Sequence, residues 1–221
     1  MKVLIIGGSR GLGLEFVRQY RSDGAVVTAT ARDADGLARL EALGAKAVSL
    51  DVAQVASASA LAWLIDGEGF DVVVYNAGAY GPRSSGLDAP TAGEFDAVMH
   101  TNVLGAMRVL PQLVGVLAPG AKLAVLSSKM GSIGQRESPA GWLYRASKAA
   151  LNSVLKDASL VLRGQAICVA LHPGWVKTDM GGADAQLTPE HSVADMRKLL
   201  AGLRANDNGH FFNHDGSVIL W

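Results

Sequence analysis

The amino-acid sequence predicts an α/β fold: a doubly wound, mainly parallel sheet with helices on both faces. Three observations carry this. Short apolar runs rich in β-branched residues recur along the chain, helix-length segments separate them, and the first run leads directly into a glycine-rich turn. Strands that are apolar on both faces need cover on both sides, which alternating helices supply. The length, 221 residues, suits one well-buried domain, so residues 1–221 are read as a single unit.

The first strand is Val3 to Ile6. The turn Gly7-Gly8-Ser9-Arg10-Gly11-Leu12-Gly13 follows, and Leu12, Phe16 and Tyr20 mark the helix after it. Further strands are expected at Ala25 to Thr30, Ala47 to Leu50, Asp71 to Tyr75, Lys122 to Ser127 and Ala166 to Leu171. Thr91 and Glu94 have capping-box spacing, and Phe95, Val98, Met99 and Asn102 follow at helical intervals, so a long helix is predicted toward Pro111. Pro119-Gly120 closes that region before the fifth strand. The helix after Tyr144 carries Ala146, Ala149, Ala150, Ser153 and Val154, whose small size permits close packing. Gly181 to Gln186 reads as a mobile loop.

Lysine plus arginine equals aspartate plus glutamate, at 20 each. No field of one sign is available to gather nucleic acid or an acidic membrane surface, so neither is expected as a partner. The lone cysteine, Cys168, lies in an apolar run and reads as an inert core thiol. A strand rather than a signal peptide opens the chain, and no apolar stretch is long enough to span a bilayer. A cytoplasmic protein is expected. His191, His210 and His214 lack spaced partner ligands, so no metal site is expected, and His172 before Pro173 reads as positional.

Two constellations carry chemistry. The glycine spacing Gly7-x-x-x-Gly11-x-Gly13 between a strand and a helix lets the backbone approach a pyrophosphate, whose charge the amides of the helix amino terminus stabilise. Tyr144 and Lys148 are one helical turn apart, so phenol and ammonium can meet the same ligand. A free phenol titrates near pKa ~10, and a neighbouring ammonium that favours phenolate brings it toward neutrality.

With these motifs in order, the chain resembles the short-chain dehydrogenase/reductase family over nearly its whole length. Asp51, Asn76-Ala77-Gly78, Asn102, Ser128, Tyr144, Lys148, Pro173-Gly174 and Thr178 match the family pattern in sequence. The segment His172 to Gly182 is similar to the subgroup that includes the bacterial C-factor and the insect carbonyl reductase called sniffer. The resemblance implies a Rossmann-type fold and hydride transfer from a nicotinamide cofactor to an aldehyde or ketone. It implies that Tyr144 is the acid, that Lys148 lowers its pKa and holds the nicotinamide ribose, that Ser128 bonds the substrate oxygen, and that Asn102 holds a water behind Lys148. Read on its own, Asn102 is better taken as a helix amide bonded to nearby backbone. Gly7, Ser9, Arg10, Gly11, Leu12 and Gly13 would hold the dinucleotide. So would Arg32, Asp51, Val52, Asn76, Ala77, Gly78, Tyr144, Lys148, Pro173, Gly174, Val176 and Thr178.

Two positions depart from the pattern. Ile6 stands where the family usually has a threonine that orders the turn. At the commonest family spacing the serine position falls on Gly131, so Ser128 is assigned by its place at the strand end, with Ser132 and Ser138 as alternatives and an enlarged loop before Tyr144. Ala31 replaces the aspartate that selects NAD, and Arg32 follows it, so NADP(H) is the expected cofactor, with Arg10 as second cation and Asp33 as a helix cap. Trp142, Trp175 and Met180 are possible pocket residues. A homodimer or homotetramer is implied, through helix faces that include Met107, Val154 and Leu155. Two rivals remain: a dinucleotide-binding signalling protein, which would be expected to lose Tyr144, Lys148 or Ser128, and a nucleotide-sugar epimerase, which needs a longer carboxyl-terminal domain.

Overall fold

The computed structural model describes residues 1–221. Seven strands form one parallel sheet: β1 Lys2–Ile6, β2 Val26–Ala31, β3 Lys46–Ser49, β4 Phe70–Tyr75, β5 Leu117–Leu126, β6 Ala166–His172 and β7 His210–Asn213. Their spatial order is β3-β2-β1-β4-β5-β6-β7, every neighbouring pair being parallel. The order reverses between β1 and β4, which opens a crevice at their carboxyl ends.

Eight α-helices complete the fold: α1 Gly11–Ser22, α2 Ala34–Ala42, α3 Val55–Ser59, α4 Leu61–Leu64, α5 Ala92–Met99, α6 Gly105–Leu113, α7 Trp142–Val161 and α8 Pro189–Gly202. Alternate strand residues enter two separate cores. Leu4, Ile6, Val73, Tyr75, Leu123 and Val125 pack on one face with Val109 of α6 and Leu151 of α7. Val3, Ile5, Val72, Val74 and Ala124 pack on the other with Phe16 of α1 and Met196 of α8. Burying each such side chain contributes about 1.5–3 kcal/mol, so the alternation itself fixes which face each helix covers. Cys168 is fully buried in the first core, where burial pushes its thiol up to about 12.

The six expected strands are present, and three features differ from expectation. β7 was not anticipated. Its four residues, with Phe211 and Phe212 at the centre, form a short edge strand beside β6. β5 begins ahead of Pro119-Gly120 instead of after it; the chain bulges there, with Gly120 at φ +77° and a register shift against Phe70 and Val72.

The long helix is also divided. Its capping box forms as expected, Thr91 Oγ1 accepting from Glu94 N at 3.2 Å and Glu94 Oε2 accepting from Thr91 N at 2.8 Å. A π-helical turn, His100–Leu104, then separates α5 from α6, and α6 continues past Pro111. No helix is long and apolar enough to cross a membrane.

Candidate active site

The glycine turn is closed by contacts that exclude any larger residue. A Cβ at Gly13 would lie 2.1 Å from the Gly7 carbonyl oxygen, and one at Gly7, whose φ is +82°, would lie 3.0 Å from the Ala77 backbone. Asn76 Nδ2 donates to Gly7 O at 2.6 Å, joining the turn to the end of β4. The hydrogen bond missing at Ile6 is replaced: Gly7 N donates to Thr30 Oγ1 on β2 at 2.9 Å, and Ile6 is fully buried in the core. No side chain caps α1 at Arg10, so its first amides stay free for an anion.

A cleft of ≈ 540 Å³ runs from this turn to Tyr144. Of the residues predicted to hold a dinucleotide, its walls include Gly7, Ser9, Arg10, Gly11, Leu12, Arg32, Asp51, Val52, Asn76, Ala77, Gly78, Tyr144, Lys148, Pro173 and Thr178. Three lie elsewhere. Gly13 supports the turn from beneath. Val176 is buried and bridges Leu187. Gly174, at φ +81°, turns its back to the cleft and lines a second cavity. The bare turn, the free amides and the long cleft fit a dinucleotide.

At the end of the cleft beside the glycine turn, Ala31 and Arg32 line it at the close of β2. Asp33 faces away from it: its Oδ1 accepts from Gly36 N at 2.7 Å and caps α2, as expected. Arg10 lies 3.5 Å from Asp179, both largely exposed, a pairing of little energetic weight. Arg39, which the sequence did not single out, donates from Nε to Ser9 O at 3.1 Å and adds a third cation beside the turn.

At the other end, α7 carries Tyr144 and Lys148 on its buried face. The π turn places Asn102 opposite them. Its amide clamps the main chain after β4: Oδ1 accepts from Ala79 N at 2.7 Å, while Nδ2 donates to Ala79 O and to Ser147 Oγ, both at 2.8 Å. Asn102 therefore makes the backbone bonds of its alternative reading, and a Cβ added at Gly78 would sit 3.4 Å from both its Oδ1 and Lys148 Nζ.

Ser128 lies two residues past β5, beside the Tyr144 phenol, and caps the turn Lys129–Gly131, its Oγ accepting from Met130 N at 3.1 Å. The alternatives point elsewhere: Ser132 donates to Leu220 O at 2.6 Å, and Ser138 accepts from Ala140 N at 3.3 Å. Residues after Gly131 form the enlarged loop that leads to Trp142.

Electrostatics correct one expectation. Burial pushes the Tyr144 phenol well above its ordinary value; Ser128 acts against this and Tyr80 adds to it. Lys148 does not lower it in this arrangement. Its ammonium is 5.7 Å from the Tyr144 ring centroid and donates to Leu126 O at 2.8 Å, while burial pulls Lys148 itself down to about 8. Tyr80, also missed, stacks on Tyr144 with centroids 4.5 Å apart. Arg83 lies over Tyr80 and donates to Met180 O at 3.2 Å, joining two loops above the site. Of the expected pocket residues, Met180 lines this cleft, Trp175 lines the second cavity, and Trp142 donates to Asp88 O at 3.1 Å. The Gly181 to Gln186 loop is tied at its start, where Trp175 Nε1 donates to Gly181 O at 2.8 Å.

Comparison with known proteins agrees with this arrangement. The C-signal protein of Myxococcus xanthus is 37% identical over 154 residues, covering 68% of this chain and 92% of the relative. The carbonyl reductase Sniffer of D. melanogaster superposes with a TM-score of 0.91 at 29% identity, over 100% of this chain and 99% of that one. An NADPH-bound carbonyl reductase from chicken fatty liver gives 0.88 at 31% identity, over 100% and 98%. The family model for short chain dehydrogenase matches residues 1–187. On that match, with the sheet order and the site described above, the chain belongs to the short-chain dehydrogenase family of oxidoreductases.

Proposed function

We propose that the protein is an NADPH-dependent carbonyl reductase that converts an aldehyde or ketone to an alcohol. One observation carries this reading: a cleft with cations at its nucleotide end reaches Tyr144 and Lys148 at the other, with Ser128 beside the phenol. The bound nicotinamide supplies hydride. Ser128 holds the carbonyl oxygen, and Tyr144 gives that oxygen a proton as charge develops on it. Burial keeps the proton on the phenol until then. An alkoxide is a stronger base than phenolate, so a raised Tyr144 remains a competent donor. Lys148, drawn down to about 8, sits near the working pH for returning a proton.

Arg32, Ala31 and the NADPH bound by the chicken relative support NADP(H) over NAD(H). A second copy of the chain docks on α6 and α7. The similarity to C-signal supports one other reading, a dinucleotide-binding signalling protein with little turnover. Tyr144→Phe separates the two. It is expected to keep cofactor binding, measured by fluorescence, and to retain less than about a tenth of wild-type turnover, a loss above about 1.4 kcal/mol. Turnover near wild type in the variant would remove Tyr144 from the acid role.

A further inference from the structure

A second cavity, of ≈ 450 Å³, lies over the carboxyl ends of β6 and β7 and shares no wall residue with the cleft. The two abut. Ser127 and Pro173 face the cleft, while Lys129, His172 and Gly174, their near neighbours in the chain, face the cavity. No aspartate or glutamate lines it. Its polar groups are the Lys129 ammonium, the amides of Gln135, Gln186 and Asn213, the Ser217 hydroxyl, which donates to Asp215, and two imidazoles, His172 and His214.

One of the imidazoles, His214, is arranged for a partner that the chain does not supply. His214 is held through Nδ1, 2.8 Å from Asp195 Oδ2, which leaves Nε2 uncommitted. His172 Nδ1 is buried without any hydrogen-bond partner, an uncompensated polar group. Gly174 keeps this wall closely packed, since a Cβ there would meet Leu187 Cδ1 at 2.4 Å and His214 Cδ2 at 3.0 Å. At the rim, Trp175 is half exposed and held through Nε1, offering a flat apolar face.

We propose that this cavity is a subsite for a carboxylate attached to a small planar or apolar body. Lys129 supplies the opposite charge, the amides and His214 Nε2 supply directed hydrogen bonds, and Trp175 covers the body of the ligand. The carboxylate belongs either to the distal arm of the carbonyl substrate, a source that rests on the proposed reductase activity, or to a separate small acid.

The test uses NADP-loaded protein and three probes: benzoate, 4-carboxybenzaldehyde and its methyl ester. Calorimetry is expected to show benzoate binding that Lys129→Met weakens about tenfold, as loss of one charge-assisted contact requires. If the arm belongs to the substrate, Lys129→Met also raises KM for the acid aldehyde about tenfold more than for the ester, with kcat little changed. If benzoate binding responds to Lys129 but the acid and ester behave alike, the subsite serves a separate acid. Absence of benzoate binding together with equal effects on acid and ester overturns the proposal, as does benzoate binding indifferent to Lys129. Should neither aldehyde be reduced, calorimetry still decides the subsite.

Discussion

At the end of β6, burial, with the neighbouring charges of His214 and Lys129, pulls the His172 imidazole from 6.5 down to about 4. The folded protein then holds His172 neutral between those values while the unfolded chain binds a proton. Stability therefore rises with pH across this window and is lost as pH falls from 6.5 toward 4, by at most about 3 kcal/mol. Urea unfolding at pH 7 and 4.5 is expected to show wild type losing more stability than His172→Gln; equal losses would refute the buried neutral imidazole. At the other end of the cleft, Arg32→Ala is expected to raise KM for NADPH far more than for NADH, and Ala31→Asp with Arg32→Ala to shift preference toward NADH. A wild-type specificity constant for NADH equal to that for NADPH would overturn the cofactor assignment. The residues behind these predictions differ in how readable they were. Arg32 and Ala31 declare themselves because a phosphate and a hydroxyl demand opposite charge. Thr30, Tyr80 and Arg83 did not, because each acts through contacts with residues distant in sequence: Thr30 on the Gly7 amide, Tyr80 on the Tyr144 ring and Arg83 on the Met180 carbonyl.

Between β5 and α7, the short 3₁₀ turn Lys129–Gly131 presses against the helix that carries the active site. A Cβ at Gly131 would lie 2.8 Å from the Lys148 carbonyl carbon and 2.9 Å from its Cβ. Gly131→Ala is therefore expected to push the turn and α7 apart at Lys148, costing about 1–3 kcal/mol by overpacking and lowering kcat more than it changes KM. A melting curve and kinetics unchanged from wild type would show that the turn yields freely. Gly131 holds the place where the commonest family spacing puts the serine, so the enlarged loop has a packing role at its base. Elements of this kind are legible only where the signal is local. The capping box of α5 was readable because its two side chains reach only three residues. The π turn was not, since the helical spacing of Val98, Met99 and Asn102 continues into it without a break. The sequence likewise gives β7 just two adjacent aromatics between polar neighbours, and its pairing with β6 exists only once the sheet is assembled.

For the whole molecule, continuous apolar strands made the doubly wound sheet predictable, but the surfaces it leaves exposed were harder to read. Leu155, expected on an outer face, is fully buried against the sheet, and Val154 is partly buried. Met107 is exposed as expected, and with Pro111 and Val114 along and just past α6 it forms an apolar stripe, joined by Leu160 and Val161 at the end of α7. Spacing of three and four residues puts the α6 positions on one face, where an unpartnered row of such side chains favours self-association. Small residues on α7, Ala146 and Ser153 among them, are exposed and let a second helix approach closely. A twofold axis across these helices would set each Met107 near its symmetry mate, so one substitution places two charges in the same buried contact. Light scattering at micromolar concentration is expected to give at least twice the chain mass for wild type and the single-chain mass for Met107→Glu. Circular dichroism of the variant should remain that of the folded protein, because Met107 contributes to neither core. A monomeric wild type would end the docking proposal, and a variant that stayed dimeric would move the interface off α6.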